Sequence, residues 1–148
     1  MTASTAYCAN AAMIYRFWLA AFESHAVAAG LLAQADAESS LNPKAVGDHG
    51  QAFGLDQWHG ARAAVILKGC GVDLTRLPPI ADQLKAALWE LRGPEHFALQ
   101  KILAAKTAWD AGYAACRYWE RPGSTLQYAK RGDKAEAWAV YFAKHPAA

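Results

Sequence analysis

The sequence is poor in charge, and this shortage excludes one class of partner. Charged residues make up 19% of the 148 positions, and the formal net charge is only +2. Because these charges are few and scattered along the chain, they do not form the basic stripe with which proteins bind nucleic acid. We therefore expect no nucleic-acid partner.

Cysteine and histidine are also scarce, which argues against thiol and metal chemistry. Cys8, Cys70 and Cys116 are odd in number and share no redox or metal-ligand spacing, so we expect free, mostly buried thiols. None has the neighbouring histidine and helix start that activate a catalytic thiol. His49 and His59 match no zinc-ligand spacing and are interpreted as solvated loop residues. No metal or organic cofactor is implied.

Long apolar runs are absent. The most apolar patch, residues 13–22, is interrupted by Arg16 and has no basic leader, so it predicts neither a signal peptide nor a membrane span. No stretch alternates apolar and polar residues over the length of a β-strand. The remaining pattern is helical, and 148 residues suffice for one domain with one core.

Apolar residues instead recur at helical steps along most of the chain. We expect a single, mainly α domain over residues 1–148, with a small loop or hairpin region near the middle. Ser24 and Thr107 are candidate helix caps. The predicted helices are about 9–23, 24–38, 60–69, 80–92, 94–105, 107–119 and 132 to the C-terminal region.

Glu38 lies in the last turn of the second predicted helix. Val27, Leu31 and Ala35 stand above it at helical steps, so its side chain follows the apolar stripe and is partly desolvated. Burial and the negative end of the helix dipole both favour the protonated form of such a carboxyl, as a general acid requires. The alternative is a solvated glutamate at a helix end.

A glycine-rich loop and a polar-aromatic motif follow Glu38. Pro43 stops the helix, and three glycines fall within residues 47–54, which allows sharp turns and close approach to a ligand. Residues 54–58, Gly-Leu-Asp-Gln-Trp, place the Gln57 amide beside the Trp58 indole. Sugars bind to such pairs through hydroxyl hydrogen bonds and apolar ring faces, although a tryptophan in this position is more often core than a sugar platform.

These motifs together resemble the phage tail lysozyme family, which is similar in turn to goose-type lysozymes and lytic transglycosylases. The resemblance covers roughly residues 23–140. It rests on Glu38-Ser39, Asn42-Pro43, Gly54 to Trp58, Arg62, Gln83-Leu84, Trp89 to Leu91 and Tyr118 to Pro122. It implies a lysozyme-like helical domain that cleaves the β-1,4 bond between N-acetylmuramic acid and N-acetylglucosamine in peptidoglycan, with Glu38 as proton donor.

Glycoside hydrolysis usually needs a second carboxylate, which acts as a base for water or as a nucleophile. The candidates are Asp48, Asp56 and Glu120, and their spacing from Glu38 does not decide between them. We favour Asp48, which would stabilise developing positive charge or position water, although it is also a common turn residue. Asp56 departs from the hydrophobic residue usual at its position in transglycosylases. Glu120 is expected to support the cleft, either by bracing Arg62 or by capping a neighbouring helix. Arg62 is expected to form a salt bridge.

The remaining expectations concern binding and setting. Ser39, Asp56, Gln57 and Trp58 are the candidate substrate-binding residues. The expected partner is the peptidoglycan glycan strand, with phage tail components as candidate protein partners. The protein would be made in the cytoplasm and reach the wall at lysis or in a virion. Two alternatives stay open: a lytic transglycosylase that leaves 1,6-anhydro products, and an inactive domain that only binds glycan.

Overall fold

The helix that carries Glu38 lies at the centre of the fold. The computed structural model describes residues 2–147, and in it this helix, α2, spans His25–Ser39. The Ser24 hydroxyl oxygen accepts a hydrogen bond from the Val27 backbone N–H at 3.1 Å, which confirms the predicted cap. Every residue from 27 to 36 is buried, so α2 is enclosed on all sides and not along one stripe.

Residues 2–147 contain six further helices, which confirms the mainly α fold, and α1, α6 and α7 pack against α2. A continuous core of buried apolar side chains connects all seven. No helix in this range is long and apolar enough to cross a membrane. The other helices are α1 (Thr2–Phe22), α3 (Gly60–Cys70), α4 (Ile80–Arg92), α5 (His96–Leu103), α6 (Ala108–Ala114) and α7 (Leu126–Lys144), with short 3₁₀ turns at Asp48–Gly50 and Leu74–Arg76.

Three helix boundaries differ from the prediction. Helix α7 begins at Leu126 and not near 132, because Leu126 is 73% exposed and the first turns carry no apolar stripe. Helix α1 likewise begins at Thr2, ahead of the first apolar repeat. The predicted helix over 107–119 starts where expected, at its Thr107 cap, but widens after Ala114 into a π-helical segment, Ala115–Glu120.

Helix α2 ends in a reversal that brings the chain to the glycine-rich loop. Ser40 and Leu41 both adopt left-handed backbone conformations, with φ of 53° and 61°, and the Ser40 N–H bonds to the Asp36 carbonyl at 2.8 Å. The Leu41 side chain is fully buried, which holds the reversal against the core. The helix thus ends at Ser39, four residues before Pro43 and directly after Glu38.

The predicted hairpin region is a small antiparallel sheet of three two-residue strands. Strands β1 (Val46–Gly47), β2 (Ala52–Phe53) and β3 (Trp58–His59) lie in that order. Gly47 pairs with Ala52, and Ala52 pairs in turn with His59. The strands are too short to show alternation in the sequence, so periodicity could not locate them.

A buried amide on α4 joins the loops around this sheet to the helical body. Gln83 is fully buried, and its carboxamide nitrogen donates to the carbonyls of Pro43 and Pro78 at 2.9 and 2.7 Å. Its oxygen accepts the Leu55 N–H at 2.8 Å. Gly54 has a φ of 75° and faces this oxygen so closely that no Cβ would fit. Glycine is therefore required there by both conformation and space.

Replacing Gly30 with Ala is expected to lower the free energy of unfolding by about 1–3 kcal/mol through overpacking. Helices α2 and α6 approach closely at this point, and a Cβ on Gly30 would lie 2.6 Å from the Ala111 Cβ and 2.7 Å from its carbonyl carbon. The matched control is Gly60→Ala, since nothing lies within 4 Å of a Cβ there. Urea denaturation of both variants checks this, and equal stabilities would contradict the close packing.

Candidate functional site

A cleft with a volume of about 590 Å³ opens at the end of α2, between the small sheet and the end of the π-helical segment. Three carboxyl-bearing residues line it, together with an amide, an imidazole and two guanidinium groups. The lining residues are Glu38, Asp48, Ala52, Gln57, His59, Arg62, Glu120, Arg121, Pro122 and Gly123. The structure therefore brings Glu38, Asp48, Gln57, Arg62 and Glu120 together, five of the eight residues predicted for the site.

Glu38 is held in place by a buried cation that the sequence reading missed. Its side chain is 24% exposed, and its Oε1 accepts a hydrogen bond from the Arg131 Nη2 at 3.0 Å. Arg131 also donates to the Gln34 side-chain oxygen at 2.8 Å. Gln34 in turn donates to the carbonyls of Gly30 and Gly112. This chain of hydrogen bonds from α7 and α6 fixes both the position and the charge environment of Glu38.

The rim of the cleft carries Asp48 and His59. The Asp48 Oδ2 lies 3.5 Å from the His59 Nδ1, and both side chains are more than half exposed. Asp48 and His49 have left-handed backbone conformations, with φ of 49° and 55°. The chain therefore leaves the extended conformation of β1 at these two residues. His59 is a solvent-exposed loop-edge histidine, as expected, but it pairs with the candidate second carboxyl.

Gln57 reaches the cleft from a strained loop position. Its φ is 51°, and its carboxamide nitrogen donates to the carbonyls of Gly54 and Ala45 at 2.8 and 3.2 Å. These two bonds use both N–H groups of the amide within the loop and so fix its orientation. The side chain can therefore offer its oxygen, an acceptor, to a ligand hydroxyl.

Arg62 is paired, but its partner is Glu90 and not the predicted Glu120. Two parallel hydrogen bonds join them, from Nε to Oε2 at 2.8 Å and from Nη2 to Oε1 at 2.7 Å. The indole N–H groups of Trp58 and Trp119 also donate to the Glu90 Oε1, at 3.2 and 2.8 Å. The predicted salt bridge of Arg62 is therefore present, and this bidentate pair anchors the start of α3 to α4 beneath the cleft.

Three predicted substrate-binding residues do not line the cleft. Trp58 is fully buried and supports the cleft from below, so it offers no face to a sugar. The Ser39 hydroxyl donates to the Ala35 carbonyl at 2.9 Å within α2. Asp56 is 4% exposed. None of the three is among the lining residues of this cleft, and Trp58 takes the supporting-core position that was its alternative. Direct contact of these residues with substrate stays a prediction.

Asp56 and Glu120 present buried carboxyl oxygens without hydrogen-bond partners. These atoms are the Asp56 Oδ1 and the Glu120 Oε1. Burial raises the pKa of Asp56 to about 8, and the neighbouring Glu38 adds to the rise. Burial, with the charges of Asp56 and Glu38, also raises the pKa of Glu120 well above its usual value. Both shifts favour the protonated form of the carboxyl.

Neither metal ligation nor thiol chemistry is indicated at this site. Among residues 2–147, no group of three or more His, Cys, Asp or Glu side chains is arranged to hold a metal ion. The three cysteines are free, as predicted, but only Cys116 is buried, whereas Cys8 is exposed and Cys70 half-buried. Burial raises the pKa of Cys116 to about 11, which makes it a poor nucleophile.

A mainly helical domain with a carboxyl-lined cleft at the end of its central helix defines a lysozyme-like class of protein. The family model described as phage tail lysozyme matches residues 9–142, and the chain belongs to this family. Membership supports a lysozyme-like, peptidoglycan-degrading role for the protein. No curated protein matches the chain.

Proposed function

We propose that this protein is a muramidase that cleaves the β-1,4 bond between N-acetylmuramic acid and N-acetylglucosamine in peptidoglycan, with Glu38 as the proton donor. The observation that carries this proposal is the position of Glu38. It ends the enclosed helix α2, lines the cleft and is mostly shielded from solvent. A shielded carboxyl beside a groove is the group that glycoside cleavage needs to protonate the leaving oxygen.

The rim residues supply the remaining functions of the proposed site. Asp48 would stabilise positive charge that develops on the sugar ring, or position the attacking water, because it faces the cleft opposite the helix end. Gln57 would orient the sugar through its amide oxygen. Arg62 also lines the cleft, but its guanidinium is committed to Glu90, so its contribution is to hold the floor in shape.

We also propose a setting for the activity. This chain would act on the cell wall and meet glycan strands as part of a virion or after release at lysis, a setting that membership of the phage tail lysozyme family supports. Tail components would be its protein partners in the first case. Cofractionation of the protein with phage particles or with the soluble lysate separates these routes.

Digestion of purified peptidoglycan by the wild-type protein, followed by mass spectrometry of the fragments, tests the reaction. We expect muropeptides with reducing N-acetylmuramic acid ends, which indicate that water attacks. Anhydro ends would instead identify a lytic transglycosylase, in which the substrate's own hydroxyl attacks and Asp48 is dispensable. Intact strands, with protein bound to them, would identify a binding domain and contradict the proposal.

A further inference from the structure

A surface patch of aromatic and basic residues lies beside the cleft, where α5 packs against the π-helical segment. Five residues form this basic patch: Phe97, Lys101, Arg117, Tyr118 and Arg121. Phe97 and Lys101 are one turn apart on α5, so their side chains share a face of that helix. The other three lie in the π-helical segment or directly after it. The patch therefore combines two aromatic rings with three cations.

Ring contacts order four of these side chains. The Phe97 and Tyr118 rings meet edge to face, with their centroids 6.0 Å apart. The Lys101 Nζ lies 5.2 Å from the Phe97 centroid and 5.6 Å from the Tyr118 centroid, and the Arg117 Cζ lies 5.1 Å from the Tyr118 centroid. These distances are typical of cation–π contacts. Lys101 and Arg117 are thus held in place while they remain exposed to solvent.

Arg121 connects the basic patch to the cleft. Its Nη1 donates a hydrogen bond to the Tyr118 carbonyl at 2.9 Å and pairs with the Glu95 carboxylate, and the same residue lines the cleft. The Arg121 backbone is left-handed, with a φ of 51°, so the chain turns there before Pro122, which also lines the cleft. A polymer that occupies the cleft therefore has the basic patch as its neighbour.

The positive charge of the basic patch is not balanced within the part of the protein that the structure describes. Arg121 pairs with Glu95, whereas Lys101 and Arg117 form no ion pair with any carboxylate of residues 2–147. Phe97 adds an apolar ring that is 57% exposed. A ligand that complements this surface carries carboxylates together with small apolar groups.

Peptidoglycan itself supplies such a ligand. Its stem peptides, which are attached to N-acetylmuramic acid, carry free carboxylates and alanine methyl groups. We propose that the basic patch binds these anionic stem peptides while the cleft holds the glycan strand, an inference that rests on the proposed function. Because the peptide is tethered to a sugar in the cleft, its binding is effectively intramolecular and two weak ion pairs suffice. The patch therefore selects glycan that bears peptides.

Replacing both unpaired cations, as Lys101→Gln with Arg117→Gln, tests this inference. On purified peptidoglycan freed of other anionic polymers, we expect the apparent KM to rise about 3- to 10-fold, as for the loss of two exposed ion pairs, with kcat unchanged. On glycan strands stripped of peptides by an amidase, the variant and the wild type should have equal KM. The difference on intact peptidoglycan should shrink as the ionic strength rises from about 0.05 to about 0.5 M.

Two further double variants separate charge recognition from a structural role. Lys101→Arg with Arg117→Lys keeps both charges and should retain the wild-type KM. Lys85→Gln with Lys144→Gln removes two exposed charges from α4 and α7, and it should also retain the wild-type KM. A KM that is unchanged when the two patch cations are removed overturns the proposal. An equal rise on peptide-free strands also overturns it, because the cations would then act on the glycan or on the fold.

Equilibrium binding distinguishes failure of this inference from failure of the proposed function. Calorimetric titrations in the Glu38→Gln background, where turnover is slow, compare a tetrasaccharide with stem peptides, the same compound with amidated carboxylates, and the bare tetrasaccharide. We expect the first to bind about 3- to 10-fold more tightly than the others, and to lose this advantage without the patch cations. Equal binding of all three refutes the basic patch even if the wild type cleaves. An inactive wild type refutes the muramidase, whereas the binding difference would still support the patch.

Discussion

Replacing Glu38 with Gln is expected to reduce the rate of glycan cleavage by about 10²–10⁴-fold, the contribution of a positioned general acid. Glutamine keeps an oxygen that can accept the hydrogen bond from Arg131 at this site, so the fold and the cleft should persist. Only the transferable proton is lost. Release of soluble muropeptides from purified peptidoglycan, measured over a time course, gives the two rates.

The accompanying control measures binding. Glu38→Gln should sediment with insoluble peptidoglycan as the wild type does, since the rim residues Asp48 and Gln57 are untouched. Glu136→Gln, the same chemical change at an exposed position of α7, should cleave at the wild-type rate. Wild-type turnover by Glu38→Gln would exclude this residue as the proton donor, whereas lost sedimentation would point to a distorted cleft.

The largest effect on stability is expected from Glu90→Ala, which should lower the free energy of unfolding by about 3–5 kcal/mol. The Glu90 side chain is 4% exposed and accepts hydrogen bonds from Arg62, Trp58 and Trp119. Its removal leaves a guanidinium without its partner and two buried indole donors unsatisfied. Chemical denaturation, monitored by tryptophan fluorescence and by circular dichroism, measures the loss.

Two further variants show whether the loss belongs to the ion pair. Glu136→Ala removes an exposed carboxyl from a helix and should stay within about 0.5 kcal/mol of the wild type. Arg62→Ala combined with Glu90→Ala should cost less than the sum of the two single changes, because each single change already breaks the pair. Additive losses would mean that the two side chains act independently, contrary to the bidentate geometry.

The sequence predicted the helical parts of the fold because their signals are local. Ser24 and Thr107 cap helices where expected, and α4 has the predicted bounds of 80 and 92. The site was predictable to the extent that motif residues lie on the chain near Glu38, as Asp48 and Gln57 do. The sequence could not predict which of these residues face the cleft and which face the core. Asp56, Gln57 and Trp58 are consecutive, yet only Gln57 lines the cleft, whereas the other two are buried.

Residues that arrive from distant helices were missed, although two of them left a signal. Arg131 stands at helical steps before Ala135, Trp138 and Phe142, the buried positions of α7. A cation on an apolar stripe needs a buried acceptor, and Glu38 and Gln34 provide it. Glu90 likewise lies one turn after Ala86 and Ala87 on the buried side of α4, and it required a partner. Pairing each such residue with its partner needs the tertiary structure.

The link between Glu38 and Arg131 also sets when the enzyme becomes competent. Glu38 and Arg131 are 93 positions apart in the chain, so Glu38 is synthesised well before Arg131, whose guanidinium group holds it. Until α7 has docked, the Glu38 carboxyl lacks the hydrogen bond from Arg131. A nascent or clipped chain that lacks α7 therefore also lacks the guanidinium that positions Glu38.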